Sequence, residues 1–191
     1  EYIMPDNLLG QWKKRVMFTG NITFADSWDG ILLRDSHVTD KDGNILMYAR
    51  NGKLVDNEIQ VEFYDETQTL IGLAHIPVGN AIGNWSRIDL DNGNTMVADK
   101  WDGMILVDAH TERDGIVVMR TKEGQRVGNN VESKMYDENN NYVGIMTVPL
   151  ADPVGRWSKV ELESGNVMVA LKWKGMVLEA SYTTRDQAGN L

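Results

Sequence analysis

Cysteine is absent from the 191 residues, which removes disulfides, thiolate nucleophiles and Cys-ligated zinc together. The redox compartment stays open, because extracellular proteins of this size can fold without bridges. Long apolar runs are missing too. The longest stretches, such as Met104 to Val107 and Met176 to Leu178, have strand length and fall far short of the ~20 residues of a membrane-spanning helix. No membrane insertion is expected. Positive charge is in the minority, with 19 Lys and Arg against 28 Asp and Glu, and no basic run could track a phosphate backbone. Nucleic acid is therefore not expected as a partner. Histidine occurs only three times.

What remains has the balance of an ordinary globular protein, 42% apolar and 25% charged, far from a disordered profile. The chain opens at Glu1 without an initiator methionine or a signal-peptide pattern, as a processed or trimmed product would.

The dominant signal is an internal repeat. Leu9-Gly10-Gln11-Trp12 recurs as Ile82-Gly83-Asn84-Trp85 and as Val154-Gly155-Arg156-Trp157, at offsets of 73 and then 72 residues. The same offsets carry Trp28-Asp29-Gly30-Ile31 onto Trp101-Asp102-Gly103-Met104 and Trp173-Lys174-Gly175-Met176. All six tryptophans fall in these two columns. The second half of the unit occurs twice, as Glu62-Phe63-Tyr64-Asp65-Glu66 and as Lys134-Met135-Tyr136-Asp137-Glu138. Placement of the bulkiest residue type by the period marks one supersecondary unit used repeatedly. The organisation expected is an N-terminal strand matching the end of a unit (1–11), repeat 1 (12–83), repeat 2 (84–155) and half of repeat 3 (156–191).

Within a unit the pattern is that of strands. Arg87-Ile88-Asp89-Leu90 and Lys159-Val160-Glu161-Leu162 alternate polar and apolar, the period of a half-buried strand. Turn clusters at Asp42-Gly43-Asn44, Asn51-Gly52, Asp91-Asn92-Gly93, Asp114-Gly115, Glu123-Gly124 and Asn139-Asn140-Asn141 leave short segments between them. No long window shows helical spacing. The fold class predicted is all-β, an antiparallel meander with about six strands per unit, the units forming β-sandwich or barrel-like bodies. Ile3-Met4-Pro5 resembles the end of a unit, and the third copy stops near Asn190 before its Tyr-Asp-Glu strand. Such a cut predicts closure within one molecule, strand exchange between molecules, or a piece of a longer array.

Candidate sites are few. Trp28, Trp101 and Trp173 could stack on sugar rings beside an acid, yet the third copy carries Lys174 where the others have Asp29 and Asp102. A tight turn with Gly at a positive-φ position tolerates that change. His37 and His110 occupy equivalent positions, with Tyr182 in the third copy, so an amphipathic ring on a strand fits better than a metal ligand or general base. His75 pairs with Thr147 and reads as solitary. No ligand cluster with zinc spacing and no nucleophile motif stands out, so neither a catalytic residue nor a metal site is assigned. Asp40-Lys41-Asp42-Gly43-Asn44 resembles the opening of a calcium loop, but Asn51 stands where the bidentate Glu would be. That leaves weak calcium binding as the one cofactor reading beside none at all.

The role expected is a non-enzymatic structural or adhesive β-repeat module assembling through sheet edges. Its partners would be copies of itself or a longer repeat array, and its setting extracellular, cell-surface or virion, with the cytoplasm also open. The alternative is a carbohydrate- or small-ligand-binding sandwich or barrel using the tryptophan columns. A glycoside hydrolase with a carboxylate pair is third.

Overall fold

Short strands punctuated by glycine and Asx turns can satisfy their backbone groups only by pairing laterally, and here each strand pairs with its neighbour in sequence. A computed structural model describes residues 3–5, 10–80 and 82–184. Leu9 and Asn190, which mark the two ends of the repeat pattern, lie outside the described residues. Among these residues there are sixteen strands and no helix. The first is β1 (Ile3–Pro5). Copy one holds β2 (Trp12–Val16), β3 (Ile22–Asp29), β4 (Leu32–Thr39), β5 (Ile45–Val55), β6 (Glu58–Asp65) and β7 (Leu70–Pro77). Copy two holds β8 (Arg87–Leu90), β9 (Thr95–Asp102), β10 (Ile105–Arg113), β11 (Ile116–Val127), β12 (Asn130–Asp137) and β13 (Tyr142–Pro149). Copy three holds β14 (Lys159–Leu162), β15 (Val167–Lys174) and β16 (Val177–Thr184).

All sixteen join one antiparallel sheet in the order β1 to β16. The strands are not divided between sheets as separate sandwich units would require, and no pairing joins β16 to β1 among the described residues. Strand bounds recur with the period, as do the irregularities. The register shifts twice between β3 and β4, around Ser27, twice between β9 and β10, around Asp108, and twice between β15 and β16, around Lys172.

Two of the expected turns are instead bulges. Asn51-Gly52 lies inside β5 and Glu123-Gly124 inside β11, where the register shifts between Arg50 and Lys53 and between Lys122 and Gln125. Asn51 (φ 59°) and Glu123 (φ 57°) are left-handed, and a Cβ on Gly52 or Gly124 would run into the carbonyl of Leu33 or Leu106. A left-handed residue followed by Gly serves a bulge as well as a turn, so the local signature does not separate them. The reversals actually fall at Asp56-Asn57 and Gly128-Asn129, both assigned as turns.

Cross-strand partners Met47–Asp65, Val61–Ala74 and Ala74–Ile88 put Met47, Val61, Ala74 and Ile88 on one face, where each is buried. With Ile71 and Leu90 they form the core cluster, and Val154 from the end of copy two joins it, with Met176 of copy three packed alongside. The sheet, curled by strand twist and bulges, thus brings its third copy back over its first. Asn21 Nδ2 donates to Ala151 O at 3.0 Å across the same seam. The core is thin. Only nine hydrophobic side chains are buried among the described residues, while large ones such as Ile31, at 80% exposure, and Leu171, at 63%, stay in solvent.

Gly72 and Gly144 sit where β7 and β13 approach β8 and β14, and a Cβ on either would overlap the carbonyl of Asp89 or Glu161. Gly72→Ala should therefore lower the unfolding free energy by ~1–3 kcal/mol through forced strand separation, read as a lower urea midpoint.

Candidate functional site

Each Trp-x-Gly turn is built the same way. Trp12 and Trp28 meet edge-to-face with centroids 5.7 Å apart, Trp85 and Trp101 at 5.3 Å, and Trp157 and Trp173 at 5.5 Å. Nε1 of the second tryptophan donates to the carbonyl of the first, at 3.2, 2.9 and 3.1 Å in the three copies. The residue before the first tryptophan then caps the turn. Gln11 Nε2 donates to Gly30 O at 2.6 Å, Asn84 Nδ2 to Gly103 O at 2.7 Å, and Arg156 Nη1 to Gly175 O at 3.4 Å. Trp28, Trp101 and Trp173 are half-buried, each against the tryptophan of its own copy.

The histidines have acid partners that the sequence did not disclose. His37 Nδ1 lies 2.8 Å from Asp26 Oδ2 and its ring stacks on Phe24 at 4.9 Å. His110 Nδ1 lies 2.8 Å from Asp99 Oδ2 and its Nε2 2.8 Å from Glu112 Oε1. Asp26 and Asp99 are the residues at the double register shift, skipped by the cross-strand pairing. In copy three Leu171 and Tyr182 replace acid and imidazole together. Burial disfavours the imidazolium of His110, but Asp99 and then Glu112 outweigh it and hold the pKa above its ordinary value.

His75 is not solitary. It is 2% exposed, with Nδ1 2.6 Å from Glu58 Oε2 and Nε2 2.8 Å from Asp89 Oδ2. A neutral ring has one N–H and would satisfy one of these acceptors, whereas the cation satisfies both. Copy two replaces the three residues by Thr147, Asn130 and Glu161, so this is a polar cluster that breaks the repeat.

The most connected group is Asp65. Its side chain is fully buried, and Oδ1 accepts from Thr67 N at 2.9 Å, Thr67 Oγ1 at 2.7 Å and Thr69 N at 3.0 Å. Oδ2 accepts from Gly175 N, 110 positions away, at 2.6 Å. Arg156 Nη1 is 3.4 Å from the same oxygen and Nη2 2.9 Å from Glu66 Oε2. Burial pushes the Asp65 carboxyl up, yet the Thr67, Gly175 and Thr69 donors more than offset it and hold its pKa below the usual value. Asp152, 3.6 Å from Arg156 Nε, goes the other way because burial outweighs the guanidinium. The residues 65–69 turn of copy one and the Trp-Lys-Gly turn of copy three are thus locked together.

Asp40 in the calcium-like loop spends its oxygens on its own turn, accepting from Asp42 N, Asn44 N and Asn44 Nδ2, each at 2.9 Å. No group of three or more His, Cys, Asp or Glu suited to a metal occurs among the described residues. A concavity of about 370 Å³ opens at the seam, lined by Leu46, Glu66, Ala151, Asp152, Pro153 and Arg156. A second, of about 180 Å³, lies over Glu123, Lys134 and Ile145. No protein-family model matches the chain, and no curated protein is detectably similar to it.

Two outcomes follow from this geometry. Asp65→Asn leaves the buried Arg156 with one carboxylate fewer and should cost ~3–5 kcal/mol in chemical denaturation. Because the folded pKa of Asp65 is depressed, its contribution is present above about pH 3.9 and is lost as pH falls through the folded value. For His110 the folded pKa is raised, so its contribution is full below the unfolded value of about 6.5 and fades as pH rises through the folded one. Asp99→Asn should shift the His110 NMR titration midpoint downward.

Proposed function

We propose that this chain is a non-enzymatic structural or adhesive β-repeat module whose copies join through sheet edges, in an extracellular, cell-surface or virion setting. The observation that carries this reading is β16. It spans eight residues, has β15 as its one strand neighbour among the described residues and is exposed at most positions. A long strand at the end of a sheet is a template for another strand. Sixteen antiparallel strands is an even number, so β1 and β16 run in opposite directions. β16 of one copy therefore meets β1 of the next in the antiparallel sense used throughout the sheet. The contact is head-to-tail and does not close on itself by two-fold symmetry.

Carbohydrate binding is the second reading. Half-buried indoles beside Asp29 and Asp102 favour it, since a ring face next to an acceptor suits a sugar. Quenching of tryptophan fluorescence by a panel of soluble oligosaccharides tests it, and unchanged emission throughout would count against it.

If edges join, the purified chain should give light-scattering masses that rise with concentration, and removal of residues 1–8 should return the mass to that of one chain. A mass of one chain at every concentration, with stability unaffected by the truncation, would refute edge assembly.

A further inference from the structure

The lock between copies one and three has a second, unfilled version. The 137–141 turn of copy two repeats the backbone bonds of the 65–69 turn. Asp65 N donates to Thr69 O at 3.0 Å and Gln68 N to Asp65 O at 3.0 Å, while Asp137 N donates to Asn141 O at 2.9 Å and Asn140 N to Asp137 O at 3.0 Å. Gln68 (φ 64°) and Asn140 (φ 63°) take the same left-handed conformation. Asp137 Oδ1 accepts from Asn139 N at 2.9 Å and Asn141 N at 2.8 Å, just as Asp65 Oδ1 accepts from Thr67 and Thr69. The two turns differ at Oδ2. In Asp65 it receives Gly175 N at 2.6 Å, and in Asp137 only a 3.3 Å contact from its neighbour Asn141 Nδ2.

The sheet face beside that turn differs in the same way. Ile71 and Ala74 in copy one are 2% and 0% exposed under Val154 and Met176. Their equivalents Val143 and Met146 are only half-buried, as is Met135.

Matching inserts stand uncovered. The Gly30 turn (φ 60°) has the conformation of Gly175 (φ 57°), the same tryptophan bond and a cap on the same carbonyl, from Gln11 in place of Arg156. A Cβ on Gly175 would touch Thr69, whereas one on Gly30 would touch nothing. Ile31, at the place of Met176, is 80% exposed. Within the chain a socket is filled from two copies onward. For the copy-two socket that places the insert beyond copy three; in a head-to-tail neighbour the first insert met is Trp28–Ile31, seven strand places from the socket where the internal insert lies nine.

We propose that a second copy of this chain docks its Trp28-Asp29-Gly30-Ile31 turn on the Asp137–Asn141 turn, with Gly30 N donating to Asp137 Oδ2 and Ile31 covering Val143 and Met146. Docking of this kind presupposes the self-association proposed above and assigns it a second contact besides the strand edge. Gln11 caps this insert where Arg156 caps the internal one, so the contact lacks the ion pair to the socket's Glu138 that Arg156 makes to Glu66. It is a weaker and reversible version of the internal lock.

The test uses the full chain. Because the protein has no cysteine, a chain with Ile31→Cys mixed with a chain carrying Asn139→Cys should form an intermolecular disulfide on mild oxidation, and an Ile31→Cys with Tyr182→Cys mixture should not. Ile31→Asp should raise the concentration for half-association without moving the melting curve, since the side chain is already in solvent. Gln11→Arg should lower the concentration for half-association by about fivefold, the effect of one favourable surface ion pair. Association unchanged in both variants, with no cross-link, would overturn the docking while leaving edge pairing to the 1–8 truncation. No association of the parent chain at any concentration would overturn both.

Discussion

One carboxylate holds the middle of this sheet to its last strand pair. Asp65 Oδ1 fixes the turn between β6 and β7, and Oδ2 takes the amide of Gly175 from a strand pair nine places further along. Division of labour between two oxygens of a fully buried side chain makes the local turn and the long-range seam inseparable. A thin core adds to the dependence. A sheet with solvent on much of both faces buries little apolar surface, so charge-assisted hydrogen bonds to Asp65 and Arg156 carry an unusual share of the closure.

Around that seam the same backbone is dressed three ways. Where copies one and two place imidazole on carboxylate at the bulge, copy three has leucine and tyrosine. Where copy one buries His75 between Glu58 and Asp89, copy two has threonine, whose Oγ1 is buried without a hydrogen-bond partner. Backbone ladders supply register in every copy, and the side chains on the outer face are left to vary. A cross-strand row of Phe24, His37, Tyr48 and Tyr64, with the Arg50 guanidinium over both tyrosines, shows how much aromatic and charged surface that face presents.

Much of this was legible in the sequence, and what was not has a physical reason. The all-β class, the antiparallel meander and the absence of helix among the described residues rest on local signals, namely alternation and turn residues. Asn51-Gly52 misled because a left-handed residue followed by Gly serves a bulge and a hairpin equally. That all the strands share one sheet could not be read, because sheet membership is a relation between strands, and periodicity within one strand does not carry it. Asp26 beside His37 was hidden by their separation of 11 positions, although loss of both in copy three was a visible clue. Arg156 was visible as the one charged residue in a column with Gln11 and Asn84, but its partner Asp65, 91 positions away, was not.

The bulge between β3 and β4 and its two counterparts set one residue of the first strand, Asp26, Asp99 or Leu171, outside the two-residue count of the ladder. Such a residue answers neither to the pleat nor to a cross-strand partner, so aspartate and leucine are equally compatible with the strands that flank it. At regular intervals along the sheet the molecule thus holds a vacancy in its folding code, a place where surface chemistry can be exchanged while the architecture stays as it was.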